Sequence, residues 1–541
     1  MDVNYRKDMV VYQIYPRSFY DTNADGIGDL PGIISKLDYL QDLGINAIWL
    51  SPIYKSPDDD NGYDIADYKS VDPKFGTMDD FDTLVAEAKK RGIGIVMDLV
   101  INHTSDEHEW FQKALAGDPK YQDYYIIRDG KNGKLPNNWG NFFAECPWAP
   151  FGDTGKYYLH LFSKKQPDLN WHNPAVLEEV KSILRFWLEK GVMGFRCDVI
   201  NVIYKNSLEN GRPSPILTGM EHYLSTEGCH EILRELRKVL DEYGAFTVGE
   251  TVFVDIPKAK DLTEPERKEL DMVFAFEHME VDQVIVKWFK TWLDPHKLMK
   301  CLAKWQQGMD WNAIYFENHD QPRFISRFTD SKGYREKASM MMAGLQMTLR
   351  GTPYVFQGQE IGMTNADFGD LSQVEDIESH NINAMAKKLG IPAPLRWKMI
   401  LRTSRDHGRT PVQWDATPNA GFTTGKPWLK VCGNYKKVNV ARELADENGV
   451  RAFWKYMISL RKTEPALIDG DFVPVHMGRT IFAYERYTED RRLLIICNLC
   501  GKEKKLPGHL TDWRRLVACN YNTVNFDTMR PFEFRLLEES R

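Results

Sequence analysis

Gly194-Phe195-Arg196-Cys197-Asp198-Val199-Ile200-Asn201 is the stretch from which the fold can be read. Apolar residues run into it, as in a buried parallel strand, and an arginine and an aspartate stand two positions apart at its end. Residues i and i+2 of a strand point to the same side, so Arg196 and Asp198 share a face. The cation is expected to hold the Asp198 carboxylate ionised by direct attraction. A charge at the end of a buried strand is costly unless it is paired or used. Taken alone, the stretch also reads as a structural ion pair.

Its neighbours supply the context. Toward the N-terminus, residues 10–15, 47–52 and 94–100 read as strands, with helical patterns over 30–43 and 79–90. Strands alternating with helices argue for βαβ units and a parallel sheet. The alternation pauses over 104–174, a stretch rich in Gly, Pro, Asn, Trp and Tyr without helical periodicity. It is too long for an ordinary loop and reads as a small inserted domain. Helices over 176–188 and 231–240 then precede the opening strand and a strand at 246–250. Further strands are expected at 272–277 and 313–317, and a helix over 336–349 leads to an eighth strand at 354–357. A long polar connection follows before a helix over 453–461. Eight such units closing on themselves make a (β/α)8 barrel. The expected organisation is a barrel over 1–103 and 175–467, the insertion over 104–174, and a C-terminal antiparallel β-sandwich over 468–541. In that last part, 482–487 and 493–498 read as strands.

Polar residues recur where the barrel strands end: Asp98, Asn102 and His103, then Arg196 and Asp198, Glu250, and His319 with Asp320. Barrel active sites sit at the C-terminal ends of the strands. Like charges crowded into one cleft cannot all stay ionised, so one carboxyl pKa rises. An ionised nucleophile beside a protonated acid is what glycoside hydrolysis requires.

Bulk properties narrow the field. The 541 residues are 43% hydrophobic and carry a net charge of −7, so a large core is available. There is no basic stripe for nucleic acid and no apolar run of membrane-spanning length. The N-terminal residues from Met1 to Lys7 lack an apolar core of the secretory type, so a cytoplasmic location is expected. The eight cysteines show neither metal-pair nor disulfide-framework spacing and read as reduced thiols. Aromatics at 12% suit a large core and also sugar-stacking platforms.

The chain resembles the alpha-amylase family of retaining glycoside hydrolases over essentially its whole length. The motifs are Asp98-Leu-Val-Ile-Asn102-His103, Gly194-Phe-Arg196-Cys-Asp198, Gly249-Glu250 and Asn318-His319-Asp320. Within the family it is most similar to the oligo-1,6-glucosidase and dextran glucosidase branch. That likeness rests on Gln166-Pro-Asp168-Leu-Asn-Trp171, on residues 316–323 and on residues 404–414. The resemblance implies Asp198 as nucleophile, Glu250 as acid/base and Asp320 as the third carboxylate. It implies His103 and His319 as partners of sugar hydroxyls, Arg196 as the group orienting Asp198, and Tyr63 as a stacking platform. Phe143 and Gln166 would line the same pocket. Asp64, in Asn61-Gly62-Tyr63-Asp64-Ile65, would pair with Arg405, close the pocket and enforce removal of single glucose units.

Val199 follows the implied nucleophile. In similar enzymes an apolar Val here goes with α-1,6 preference and a Thr with α-1,4. Lys287 and Glu378 are further candidates for the neighbouring +1 subsite. Cys197 stands where Met or Leu is expected, which suggests sensitivity to thiol reagents. Asp21-Thr22-Asn23-Ala24-Asp25-Gly26-Ile27-Gly28-Asp29 looks like the start of a calcium loop. By resemblance a structural calcium or magnesium ion is expected on Asp21, Asn23, Asp25, the Ile27 carbonyl and Asp29, with no organic cofactor. The expected partner is a small oligosaccharide met by a monomer, with no nucleic acid and no membrane. Three other readings stay open: a sucrose-active α-glucosidase or sucrose isomerase, a trehalose-6-phosphate hydrolase, and a non-catalytic barrel subunit.

Overall fold

The computed structural model describes residues 7–131, 133–143, 145–214, 217–284, 286–329, 333–513 and 515–539. The N-terminal residues read above, Met1 to Arg6, lie outside them. Eight strands form one sheet: β1 (Val11–Ile14), β2 (Ala47–Leu50), β3 (Gly94–Leu99), β4 (Gly194–Cys197), β5 (Phe246–Glu250), β6 (Met272–Phe274), β7 (Ala313–Ile314) and β8 (Thr352–Phe356). The hydrogen-bonded order runs β6-β5-β4-β3-β2-β1-β8-β7, with every pairing parallel. β4 is buried along its whole length, which is why its sequence is apolar up to the functional residues.

The seam between β6 and β7 has no ladder of its own. β7 is only two residues long, shorter than the expected 313–317. Side chains close the gap instead. The Tyr315 hydroxyl donates to the Ala275 carbonyl at 3.0 Å, and the His278 ring donates to the Tyr315 carbonyl at 2.7 Å. The expected helix over 30–43 is two helices, Leu30–Ser35 and Leu37–Leu43, parted at Lys36.

Between β3 and β4 the chain leaves the barrel. It forms a three-stranded antiparallel sheet from Ile127–Asp129, Lys156–Leu159 and Trp148–Pro150. Two short helices, Glu109–Leu115 and Pro119–Gln122, also lie here, although no helical period was legible. The longest helices in the connection after β8 are Ile377–Lys388 and Ala393–Thr403, where the sequence suggested only polar loop. Beyond the helix Val450–Thr463, five antiparallel strands form a sheet. One face (Phe482, Tyr484, Leu493, Ile495) joins the main barrel core. The other (Ile481, Ala483, Leu494, Ile496) packs with Leu506 and Met529 of a small two-stranded ribbon, giving the sandwich. No helix among the described residues is long and apolar enough to cross a membrane.

Candidate active site

Arg196, on β4, is the hub. One guanidinium nitrogen donates to Asp98 at 2.6 Å and to Asp198 at 2.6 Å, and the other donates to Glu250 at 2.5 Å. Three acids from β3, the end of β4 and β5 therefore converge on one buried cation. Parallel register explains the meeting, since Asp98 pairs with Arg196 across β3–β4 and Gly249 pairs with Cys197 across β4–β5. Trp49 on β2 and the Tyr63 hydroxyl donate to the far oxygen of Asp98 at 2.9 and 3.2 Å.

The expectation that Arg196 alone keeps Asp198 ionised is not met. Burial pushes the Asp198 carboxyl well above its usual range, and repulsion from Glu250 and Asp98 adds to burial against the pull of Arg196. Burial is the larger cause, and the single guanidinium of Arg196 is shared among three carboxylates.

Asp320 is the opposite case. Burial would raise its pKa, yet His319, Arg405 and Arg409 hold it well below the usual carboxylate range. His319 contacts it at 3.0 Å, Arg409 at 2.9 Å and Arg405 at 3.3 Å. Gln13 on β1 hydrogen-bonds the other His319 nitrogen at 2.8 Å, and the Tyr63 ring stacks on His319 at 5.2 Å. His103 contacts the Gln166 amide and the Tyr63 carbonyl, each at 3.1 Å, and burial pushes its pKa down to about 4. Phe143 lies beneath Arg405, with the guanidinium carbon 5.6 Å from the ring centre. Tyr63, His103, Phe143, Gln166, Arg196, His319 and Arg405 thus surround the three carboxylates.

Asp64 does not belong to this group. Its carboxylate turns back into its own loop and accepts from the backbone N–H groups of Asp59 (2.9 Å) and Asp60 (3.0 Å) and from Ser56. Asp60 meets Arg405 instead, at 3.3 Å, and its second oxygen accepts from Gln166 at 3.3 Å. A turn-closing acid spends its oxygens on local amides and has none left for a distant guanidinium. Asp60 was legible only as the last of the run Asp58-Asp59-Asp60. Arg409 sat inside the motif over 404–414, while Gln13, Trp49 and Asp376 carried no signal.

Val199 has φ 35° and ψ 40°, a left-handed conformation unusual for a β-branched residue. The turn aims the Val199 N–H at Glu250, 3.2 Å away. The side chain packs in a cluster with Trp139, Phe143, Phe162 and Tyr223 from the excursion after β3 and the loop after β4. Lys287 pairs with Glu378. Cys197 is fully enclosed, and burial pushes its thiol pKa far up, so thiolate chemistry is suppressed and sensitivity to thiol reagents is not expected.

In the loop from Asp21 to Asp29, Asp21 accepts from the N–H groups of Asn23, Ala24 and Gly26, Asn23 from that of Asp25, and Asp25 from that of Ile27. Asp29 caps the helix Leu30–Ser35 through Gly32 N–H and also accepts from Thr22. Among the described residues no three His, Cys, Asp or Glu side chains stand together as a metal cluster. An ion here would need the Asn23 amide oxygen and the Ile27 carbonyl as well.

Comparison with known proteins agrees with this geometry. Residues 13–470 match the alpha amylase catalytic domain. An oligo-1,6-glucosidase of Halalkalibacterium halodurans is 46% identical, with 99% of each chain covered. The crystal structure of a trehalose-6-phosphate hydrolase from Bacillus licheniformis superposes with a TM-score of 0.93 at 41% identity, covering 99% of both chains. That of an isomaltulose synthase from Klebsiella sp. LX3 superposes with a TM-score of 0.95 at 38% identity and the same coverage. The chain belongs to the alpha-amylase family and is a glycoside hydrolase.

Proposed function

We propose that the chain is a retaining, exo-acting α-glucosidase that releases glucose from the non-reducing end of short α-1,6-linked gluco-oligosaccharides such as isomaltose. The carrying observation is the clasp beside the three carboxylates, where Arg405 is held by Asp60, Asp320 and Asp376 over Phe143. A clasp of this kind fits one terminal sugar and leaves no exit for a longer chain beyond it.

In this reading Asp198 attacks the anomeric carbon and forms a glucosyl ester. The bond to the departing sugar breaks, and Glu250 gives its proton to the leaving oxygen. Water then attacks the same carbon, Glu250 takes a proton from it, the ester breaks, and α-glucose leaves with retained configuration. The step needs a proton on Glu250 and an ionised Asp198 beside the guanidinium of Arg196. Asp320, held ionised beside Arg405, Arg409 and the His319 ring, would hold the sugar hydroxyls as the ring flattens.

The α-1,6 preference rests on Val199, which offers an apolar wall and no hydroxyl. Against a phosphorylated disaccharide, the cations Lys287, Lys290 and Arg327 are already engaged. Lys287 pairs with Glu378, and Arg327 and Lys290 face Asp282. The loop from Asp21 to Asp29 supplies alternating hard oxygen donors that suit calcium or magnesium, with a purely structural role. A cytoplasmic enzyme of this kind would act on short imported sugars.

The test is glucose release from isomaltose, maltose, sucrose and trehalose-6-phosphate at equal concentration, with Asp198→Asn as the blank. Isomaltose should lead, and Asp198→Asn should lose more than about 1,000-fold while keeping its fold by circular dichroism. Another substrate in the lead would overturn the linkage reading, and an active Asp198→Asn would overturn the mechanism.

A further inference from the structure

Asp376 lies in the connection after β8, two residues before Glu378, was not itself among the expected functional residues, and is fully buried. One of its oxygens accepts from Arg405 Nε at 2.8 Å and lies 2.7 Å from Arg405 Nη2. The same oxygen caps the helix Ile377–Lys388 by accepting from the Glu378 N–H at 3.2 Å, and the other accepts from the Ser379 hydroxyl at 2.7 Å. Behind it, Asp406 accepts from the backbone N–H groups of Glu375 and Asp376 at 2.6 and 3.0 Å. Asp406 directly follows Arg405 and opens the turn Asp406–Arg409, so both ends of the contact are tied to the segment that carries Arg405 and Arg409. The capped turn carries Glu378, whose carboxylate holds Lys287 and comes within 3.7 Å of Arg405.

One carboxylate therefore fixes two things. It orients the guanidinium that meets Asp320 and Asp60 at the closed end, and it anchors the first turn that presents Glu378 and Lys287. We infer that Asp376 is a positioning residue that ties the glucose clasp to the wall facing the departing sugar, so that a change on either side is felt on the other. Removing its charge leaves Arg405 and Arg409 as two neighbouring cations drawn onto Asp320, which distorts the clasp before any sugar binds. The inference rests on the α-glucosidase reading above.

The experiment measures kcat and KM on isomaltose and on p-nitrophenyl α-glucoside, whose aglycone is not a sugar. The proteins are wild type, Asp376→Asn, Ser379→Ala, Glu378→Gln and the double variant Asp376→Asn with Glu378→Gln. Asp376→Asn keeps the shape and a capping oxygen, and it is expected to raise KM on both substrates by 10-fold or more with a smaller change in kcat. Ser379→Ala removes a cap bond without touching Arg405 and is expected to lower Tm while leaving KM unchanged. Glu378→Gln is expected to raise KM on the nitrophenyl glucoside too, and the double variant to fall short of the product of the single effects. Asp376→Asn that shifts only Tm, or single effects that multiply fully, would overturn the inference. Wild type inactive on both substrates would instead overturn the α-glucosidase reading.

Discussion

Val199 shows how one residue can serve backbone and substrate together. A β-branched side chain in the left-handed region costs about 1–3 kcal/mol and persists only where its surroundings hold it. Here the apolar cluster with Trp139 and Phe143 holds the side chain while the strained turn directs the amide at Glu250. Threonine has nearly the same shape, so Val199→Thr keeps the turn and adds only a hydroxyl. It should raise the maltose-to-isomaltose ratio of kcat/KM by about 10-fold or more, since such single-group differences are worth about 1–3 kcal/mol. A flat ratio would remove Val199 from linkage selection. His407 belongs to the same scale. Its ring donates to the Leu401 carbonyl at 2.7 Å, its other nitrogen is buried with no hydrogen-bond partner among the described residues, and burial pushes its pKa down to about 4. The unfolded chain takes up a proton near pH 6.5 that the folded chain refuses until about pH 4, so stability is full above 6.5 and falls as pH drops toward 4. His407→Gln keeps the donor and should reduce that loss by up to about 3 kcal/mol in denaturant titrations at pH 7 and pH 4.5.

At the scale of elements, the loop over 56–64 divides its acids between two duties. Asp60 points at Arg405, and Asp64 closes the turn that puts Asp60 there. Asp60→Asn should therefore raise KM severalfold for every α-glucoside with little loss of Tm. Asp64→Ala should lower Tm, because it abandons two buried amides and a hydroxyl at about 1–3 kcal/mol each. Steady-state kinetics and a thermal melt on both variants check the assignment, and the reverse pattern would restore Asp64 to the clasp. The turn over 406–409 makes a similar point. A Cβ on Gly408 would lie 2.7 and 2.8 Å from the Gln321 and Asn318 carbonyls, so only glycine lets this turn approach the loop that carries Asp320.

Across the whole molecule, the barrel is held by one continuous core that extends into the C-terminal sheet through Phe482, Tyr484, Leu493 and Phe534. The loop from Asp21 to Asp29 is fastened to the segment after β8, with Asp21 N–H donating to the Phe422 carbonyl at 3.0 Å and Thr423 bonded to the Asp21 carboxylate. An ion in that loop would stiffen a link between the first and last units of the barrel. Treatment with a chelator should lower Tm by several degrees while initial rates at room temperature change little, and returning calcium should restore Tm. An unchanged melt would remove the metal.

The sequence by itself determined the alternation of strands and helices, the ends of β4 and β5, and the chemistry gathered at the strand ends. These are properties of local pattern, since buried strands must be apolar and a polar residue at their end has few other uses. Arg196, Asp198, Glu250 and Asp320 were legible for that reason. Only the tertiary structure decided which acid each cation meets. Asp60 rather than Asp64 reaches Arg405, Asp376 joins from about 30 residues before it, and Arg196 serves three carboxylates at once. Electrostatic partners are chosen by distance in space, and no spacing along the chain encodes a contact between the loop over 56–64, the helix start at 376 and the turn at 405.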